Sequence, residues 1–98
     1  MGSVRMRPKR LGEKLRSIRN HLDCSLADMA NRLSTDEFTV RRTVISLYES
    51  NDREPPLPVL LRYARLVGIT IDVLADDEMD LPESLLTGEK SEKIKRQK

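Results

Sequence analysis

Apolar side chains recur along this chain at intervals of three and four residues, the spacing that gathers them on one face of an α-helix. Leu11, Leu15, Ile18 and Leu22 form the first stripe, with charged residues on the other faces, and predict a helix running on from Pro8. Leu26, Met29, Ala30 and Leu33 form the second. Ser25 precedes it as an N-cap with Asp28 in the first turn, so a short helix should reach about Leu33. A third stripe, Val44, Ile45 and Tyr48, predicts a helix from Arg42 to Ser50 whose other side carries Arg42, Thr43, Ser46, Leu47 and Ser50.

The stretch between the second and third stripes gives mixed signals. Ser34 and Glu37 have capping-box spacing, while Thr39 and Val40 are poor helix formers, so an irregular connection containing one helical turn is expected. Asn51-Asp52 ends the third helix. Pro58 suits the first position of a fourth, which should turn Leu60, Leu61, Ala64 and Val67 inward and stop at Gly68. Thr70 and Asp72 open a short fifth helix through Ile71, Val73 and Leu74. The pattern is therefore all-α, five short helices without an internal repeat. Its division is a flexible basic arm over 1–7, a domain over 8–75, and an extension over 76–98 that is acidic and then basic. The distal part of that extension lacks the apolar density to offset ordering entropy. Leu81, Leu85 and Leu86 form an apolar cluster within it, suited to docking on the body or on a second subunit.

Composition narrows the functions. The 98 residues suffice for one modest core, and aromatic residues at 3% argue against a deep aromatic-lined catalytic pocket. A net charge of +2 says little, but its placement says more. Arg5, Arg7, Lys9, Arg10, Lys14, Arg16 and Arg19 are opposed locally only by Glu13, whereas Asp76, Asp77, Glu78, Asp80 and Glu83 form an acidic block. A single cysteine, Cys24, excludes an internal disulfide, and no apolar run approaches the roughly 20 residues of a membrane span. Met1 to Met6 form no apolar signal region, so the expected setting is the cytoplasm, without membrane association.

The best material for an enzyme is His21, Asp23 and Cys24, a conceivable base, orienter and nucleophile. No second histidine or cysteine exists to complete a zinc site, and no glycine-rich phosphate loop is present. The reading is an ordinary polar turn with a small buried thiol, with no catalysis, no cofactor and no metal.

Two short helices followed by a third with a polar outer face is an arrangement that can place side chains in the major groove of double-stranded DNA. Leu15-Arg16-Ser17-Ile18-Arg19, Ser25-Leu26-Ala27-Asp28-Met29-Ala30, Ile45-Ser46-Leu47-Tyr48-Glu49, Arg53-Glu54-Pro55 and Leu60-Leu61-Arg62-Tyr63-Ala64-Arg65-Leu66-Val67-Gly68-Ile69 occur in that order. Together they resemble the Cro/phage-repressor (Xre-type) helix-turn-helix family over Leu11 to Leu74. The resemblance implies a DNA-binding transcriptional regulator, acting as a repressor and as a homodimer on successive major grooves.

Position by position, the resemblance makes Arg42, Thr43, Ser46 and Leu47 base-reading candidates. Arg42 is suited to guanine O6 and N7, and Leu47 to a thymine methyl. It makes Ser25, Arg41, Ser50, Asn51 and Arg53 candidates for phosphate contacts, joined by Arg10 from the basic N-terminal segment. For Ser25 the alternative is a plain cap, and for Asn51 a plain turn. Leu26 stands where the family usually has Gln, so one phosphate clamp is missing. Arg19 and Glu49 match a structural ion pair between the first helix and the recognition helix. A departure lies at Ser34 to Phe38, which lengthen the usual turn by about five residues. The competing reading is an antitoxin or adaptor that uses the same fold on a protein partner, through Leu47, Leu81, Leu85 and Leu86.

Overall fold

The computed structural model describes residues 7–86. Among these, six helices follow one another: α1 Leu11–His21, α2 Leu26–Leu33, α3 Arg42–Glu49, α4 Leu57–Val67, α5 Ile71–Ala75 and α6 Glu83–Leu86. The described chain is thus all-α, with one helix more than the five expected. Residues 1–6 of the expected arm over 1–7 and the stretch 87–98 lie outside the described residues.

Why each helix begins where it does differs along the chain. At α2 the start is written locally: Ser25 Oγ accepts from Asp28 N–H at 3.0 Å and the Asp28 carboxylate accepts from Ser25 N–H at 3.3 Å, a reciprocal capping box. At α1 nothing local caps the helix, and the N-cap residue Arg10 contributes no side-chain bond. Instead the N–H groups of Arg10 and Gly12 at its start, and of Lys9 just before it, are met from far along the chain. Asp77 accepts from Lys9 and Arg10 N–H at 2.9 and 3.0 Å, and Asn51 Oδ1 accepts from Gly12 N–H at 3.0 Å. Gly68, in the left-handed region at φ 71°, ends α4 as expected. Pro58 stands one residue later than expected, because α4 starts at Leu57 with Pro56 as N-cap. A proline in the first turn costs nothing, since its missing N–H would have had no helical partner.

The core is a single cluster drawn from all six helices. Leu11, Leu15 and Ile18 of α1 meet Met29, Ala30 and Leu33 of α2, Ile45 and Tyr48 of α3, and Leu74 of α5. From α4 the buried residues are Val59, Leu60, Tyr63 and Ala64. That corrects the expected inward face: Leu60 and Ala64 are inside, but Leu61 is 39% exposed and Val67 only half-buried. The stripe is rotated toward Val59 and Tyr63 because the aromatic ring brings far more apolar area than a valine methyl pair. Tyr63 Oη is buried without a hydrogen-bond partner among the described residues, and burial pushes its ionisation well above the ordinary tyrosine range.

Two further corrections concern connections. The segment between α2 and α3 contains no helical turn. Ser34 is the C-cap of α2 rather than the start of a helix; its hydroxyl lies 2.8 Å from Ala30 O and accepts from Val40 N–H at 2.9 Å. Thr35 and Phe38 then close a tight reverse turn, exchanging N–H···O bonds of 2.7 and 3.2 Å. The turn satisfies its own backbone, and Phe38 and Val40 pack on the core, so a helix would gain nothing. The second correction is at the C-terminal side. The described residues beyond Ala75, 76 to 86, stay on the body: Leu81 and Leu85 are buried and α6 lies against α1. The packed body therefore passes the expected boundary at 75, and the apolar cluster at Leu81 and Leu85 docks within the chain.

Candidate nucleic-acid interface

Helix α3 packs its Ile45 and Tyr48 side inward against α1 and α2. The 3.6-residue period then turns Arg42, Thr43 and Ser46 outward, and all three are exposed. Arg41 precedes them as the N-cap residue, exposed and making no side-chain cap bond. Neither Arg41 nor Arg42 has an ion-pair partner among the described residues. The Thr35–Phe38 turn does not cover this face.

Three shallow hollows adjoin α3. One hollow of about 550 Å³ is lined by Ser25, Leu26, Ala27, Arg42, Thr43 and Ser46, bringing the N-terminal turns of α2 and α3 together. A second, about 370 Å³, lies between Ala27, Ala30 and Asn31 of α2 and the Val40 to Thr43 stretch. The third, about 250 Å³, is lined by Arg16, Arg19, Leu26, Ser46, Glu49 and Ser50. Ser25, Arg41, Arg42, Thr43, Ser46 and Ser50 from the sequence reading thus share one face. The N–H groups of Leu26 and Ala27, as the first residues of α2, have no acceptor within the helix.

Other candidates are placed differently. Leu47 is half-buried and lines none of the three hollows, and its carbonyl accepts from Asp52 and Arg53 N–H at 2.9 and 3.2 Å. Asn51, at φ 65°, spends its side chain on α1: Oδ1 accepts from Gly12 and Nδ2 donates to Lys9 O at 2.9 Å. Gly12 is needed there, because a Cβ on it would stand 2.5 Å from Glu49 O and 2.9 Å from Asn51 Oδ1. Ser50 Oγ lies 2.7 Å from Asp52 Oδ2 and 3.1 Å from Leu47 O, two acceptors for one hydroxyl proton. Arg53 is exposed just past the turn.

Arg10 faces the acidic segment rather than open solvent. Its Nη2 is 2.7 Å from Asp80 Oδ1 and its Nη1 donates to Asp77 O at 2.6 Å, and the bond to Asp80 holds the guanidinium in its charged form. Lys14, counted with the basic N-terminal residues, is buried instead. Its Nζ donates to Val73 O and Asp76 O at the end of α5, and burial, then the nearby Arg10, push its pKa down.

Arg19 and Glu49 form a two-pronged pair, Nε to Oε2 at 2.7 Å and Nη2 to Oε1 at 3.0 Å, with the side chains 16% and 6% exposed. Arg19 Nη1 also donates to Cys24 O, tying α1, the turn into α2 and the end of α3 together. The bond to Glu49 raises the arginine's pKa further. The Cys24 thiol is buried and points at Leu22 O, Asp23 is exposed, and no hydrogen bond joins them to His21.

Three residues of the concave face escaped the sequence reading: Ala27, Asn31 and Arg16. Ala27 and Asn31 are four apart on the exposed side of α2, so the helical period that located the core could have located them too. Arg16 carries no comparable signal; only the packing of α1 on α3 brings it within 3.8 Å of Glu49.

The family model described as a helix-turn-helix domain matches residues 12–78, more than half of the chain. Among solved structures, the P22 c2 repressor protein in complex with a synthetic operator in the presence of Tl+ is similar. It has 24% sequence identity and a TM-score of 0.59, over 69% of this chain and 96% of that one. At that identity the likeness is one of fold. None of the curated proteins compared matches the chain.

Proposed function

This chain belongs to the helix-turn-helix domain family, and from that premise we propose that it is a DNA-binding transcriptional regulator that sets α3 into the major groove. One observation carries the reading. The outward side of α3, with Arg41, Arg42, Thr43 and Ser46, is exposed, its side chains without partners among the described residues, and it shares a shallow hollow with the N-terminal turn of α2. A buried or covered α3 face would have left no surface for base edges.

In this reading Arg42 gives two hydrogen bonds to guanine, and Thr43 and Ser46 read neighbouring edges. Arg41, Arg53 and the free amides at the start of α2, beside Ser25, hold phosphates and fix the register. Ser50 serves mainly to close the end of α3. The protein acts in the cytoplasm as a two-fold dimer and represses by occupying an operator. The P22 c2 repressor, similar in fold and solved on an operator, supports this assignment. No helix among the described residues is long and apolar enough to cross a membrane. No catalytic step is assigned to the chain.

The test is selection of bound sites from a random duplex pool at low salt. The expected product is a palindrome with half-sites about 34 Å apart, bound with an affinity that falls steeply as salt rises. Failure to bind any duplex at low salt would overturn the proposal.

A further inference from the structure

Leu26 occupies an unusual place on the concave face. It lines both the hollow between α2 and α3 and the hollow beside Glu49, and Ser46 is the only other residue common to the two. It is half-buried, so part of its side chain packs on the core while part faces outward. Ala27, exposed, continues the apolar surface, and Thr43 of α3 lines the same hollow. A leucine offers no hydrogen bond to a phosphate or to a base edge. In the major groove one base presents an apolar group, thymine through its 5-methyl.

We propose that the hollow lined by Leu26, Ala27 and Thr43 receives the 5-methyl group of a thymine next to the base read by Arg42, making Leu26 a specificity-determining residue. The inference rests on the reading of α3 as the base-contacting helix and goes beyond it by naming the group that fills this hollow. It moves the apolar base contact from Leu47 to Leu26. Leu47 lines neither hollow, whereas Leu26 lines one with Arg42 and Ser46 and the other with Ser46. The same chemistry admits 5-methylcytosine, which carries its methyl in the same place.

The experiment uses the full chain and the duplex obtained by selection, with each thymine replaced singly by deoxyuridine, a change that removes one methyl and leaves every hydrogen bond. One position per half-site should lose about three- to fivefold in affinity, the worth of one buried methyl. At that position 5-methylcytosine should bind more tightly than cytosine by a similar factor. In Leu26→Gln the deoxyuridine penalty should vanish, and in Leu47→Gln it should persist. The wild-type measurements need no variant, so an unfolded Leu26→Gln leaves the test standing. A specific operator at which no deoxyuridine substitution matters would overturn the methyl contact and leave the DNA reading intact. A penalty that survives in a folded Leu26→Gln but disappears in Leu47→Gln would overturn the assignment to Leu26. Absence of binding to every duplex would overturn both readings together.

Discussion

Arg41 and Arg42 at the start of α3 and Arg10 and Lys14 at the start of α1 carry the same charge, yet the fold treats the two pairs in opposite ways. The first pair is exposed and unpartnered among the described residues. The second is taken up internally: Arg10 by Asp77 and Asp80, Lys14 by the carbonyls of Val73 and Asp76. Basic residues that look alike in a charge count therefore divide into a surface free to meet an anionic partner and a brace that holds the C-terminal segment on α1. The acidic block from Asp76 to Asp80 is less a counterweight to the basic end than its structural complement.

Glu49 ties α3 to α1 through Arg19, and its loss should have the largest effect. Glu49→Ala strands the Arg19 guanidinium in a mostly buried site, a change worth about 3 kcal/mol or on the order of 15 °C in Tm. Denaturant titration should show it, and Glu49→Leu combined with Arg19→Met should recover most of the loss. An effect confined to DNA binding, with stability unchanged, would mean that the pair does not brace the fold.

A smaller effect separates the two sets of arginines directly. Arg42→Ala should weaken operator binding by about 1–3 kcal/mol, concentrated at one base pair, with stability within about 0.5 kcal/mol of the parent. Arg10→Ala should do the reverse, lowering Tm more than it lowers DNA affinity. Equal losses of affinity in both variants would erase the distinction between free and braced cations.

The smallest effect is a pH dependence. The backbone N–H groups of Lys9 and Arg10 hold the Asp77 carboxyl below its ordinary range. A carboxylate depressed in the folded state contributes stability above its unfolded pKa and loses it as pH falls through the folded value. Acid unfolding should thus show a modest component below about pH 4 that is absent in Asp77→Asn. An unchanged acid profile in that variant would deny Asp77 its part in the brace.

Much of the candidate site was legible from periodicity and capping. The stripe Val44, Ile45, Tyr48 was enough to orient Arg42, Thr43 and Ser46 outward, because a helix of known period has only one way to face a core. Ser25 and Asp28 announced the start of α2 because both partners of the capping box lie within one turn. Leu47 and Leu61 were misjudged for a shared reason: each sits at the edge of its stripe, where the partner helix, not the period, sets exposure. The connection at Ser34 was misread because its capping signal competes with β-branched residues, and contact of Phe38 and Val40 with the core decided the outcome.

By itself the order of residues determined the helical period, the local caps and stops, and the polar face of α3, since each depends on groups within a few positions of one another. Only the tertiary structure decided what Arg10, Lys14 and Asn51 do, because their partners lie from 39 to 70 residues away in the chain. At such separations an ion pair or a borrowed cap exists only once packing of the apolar core has brought the segments together.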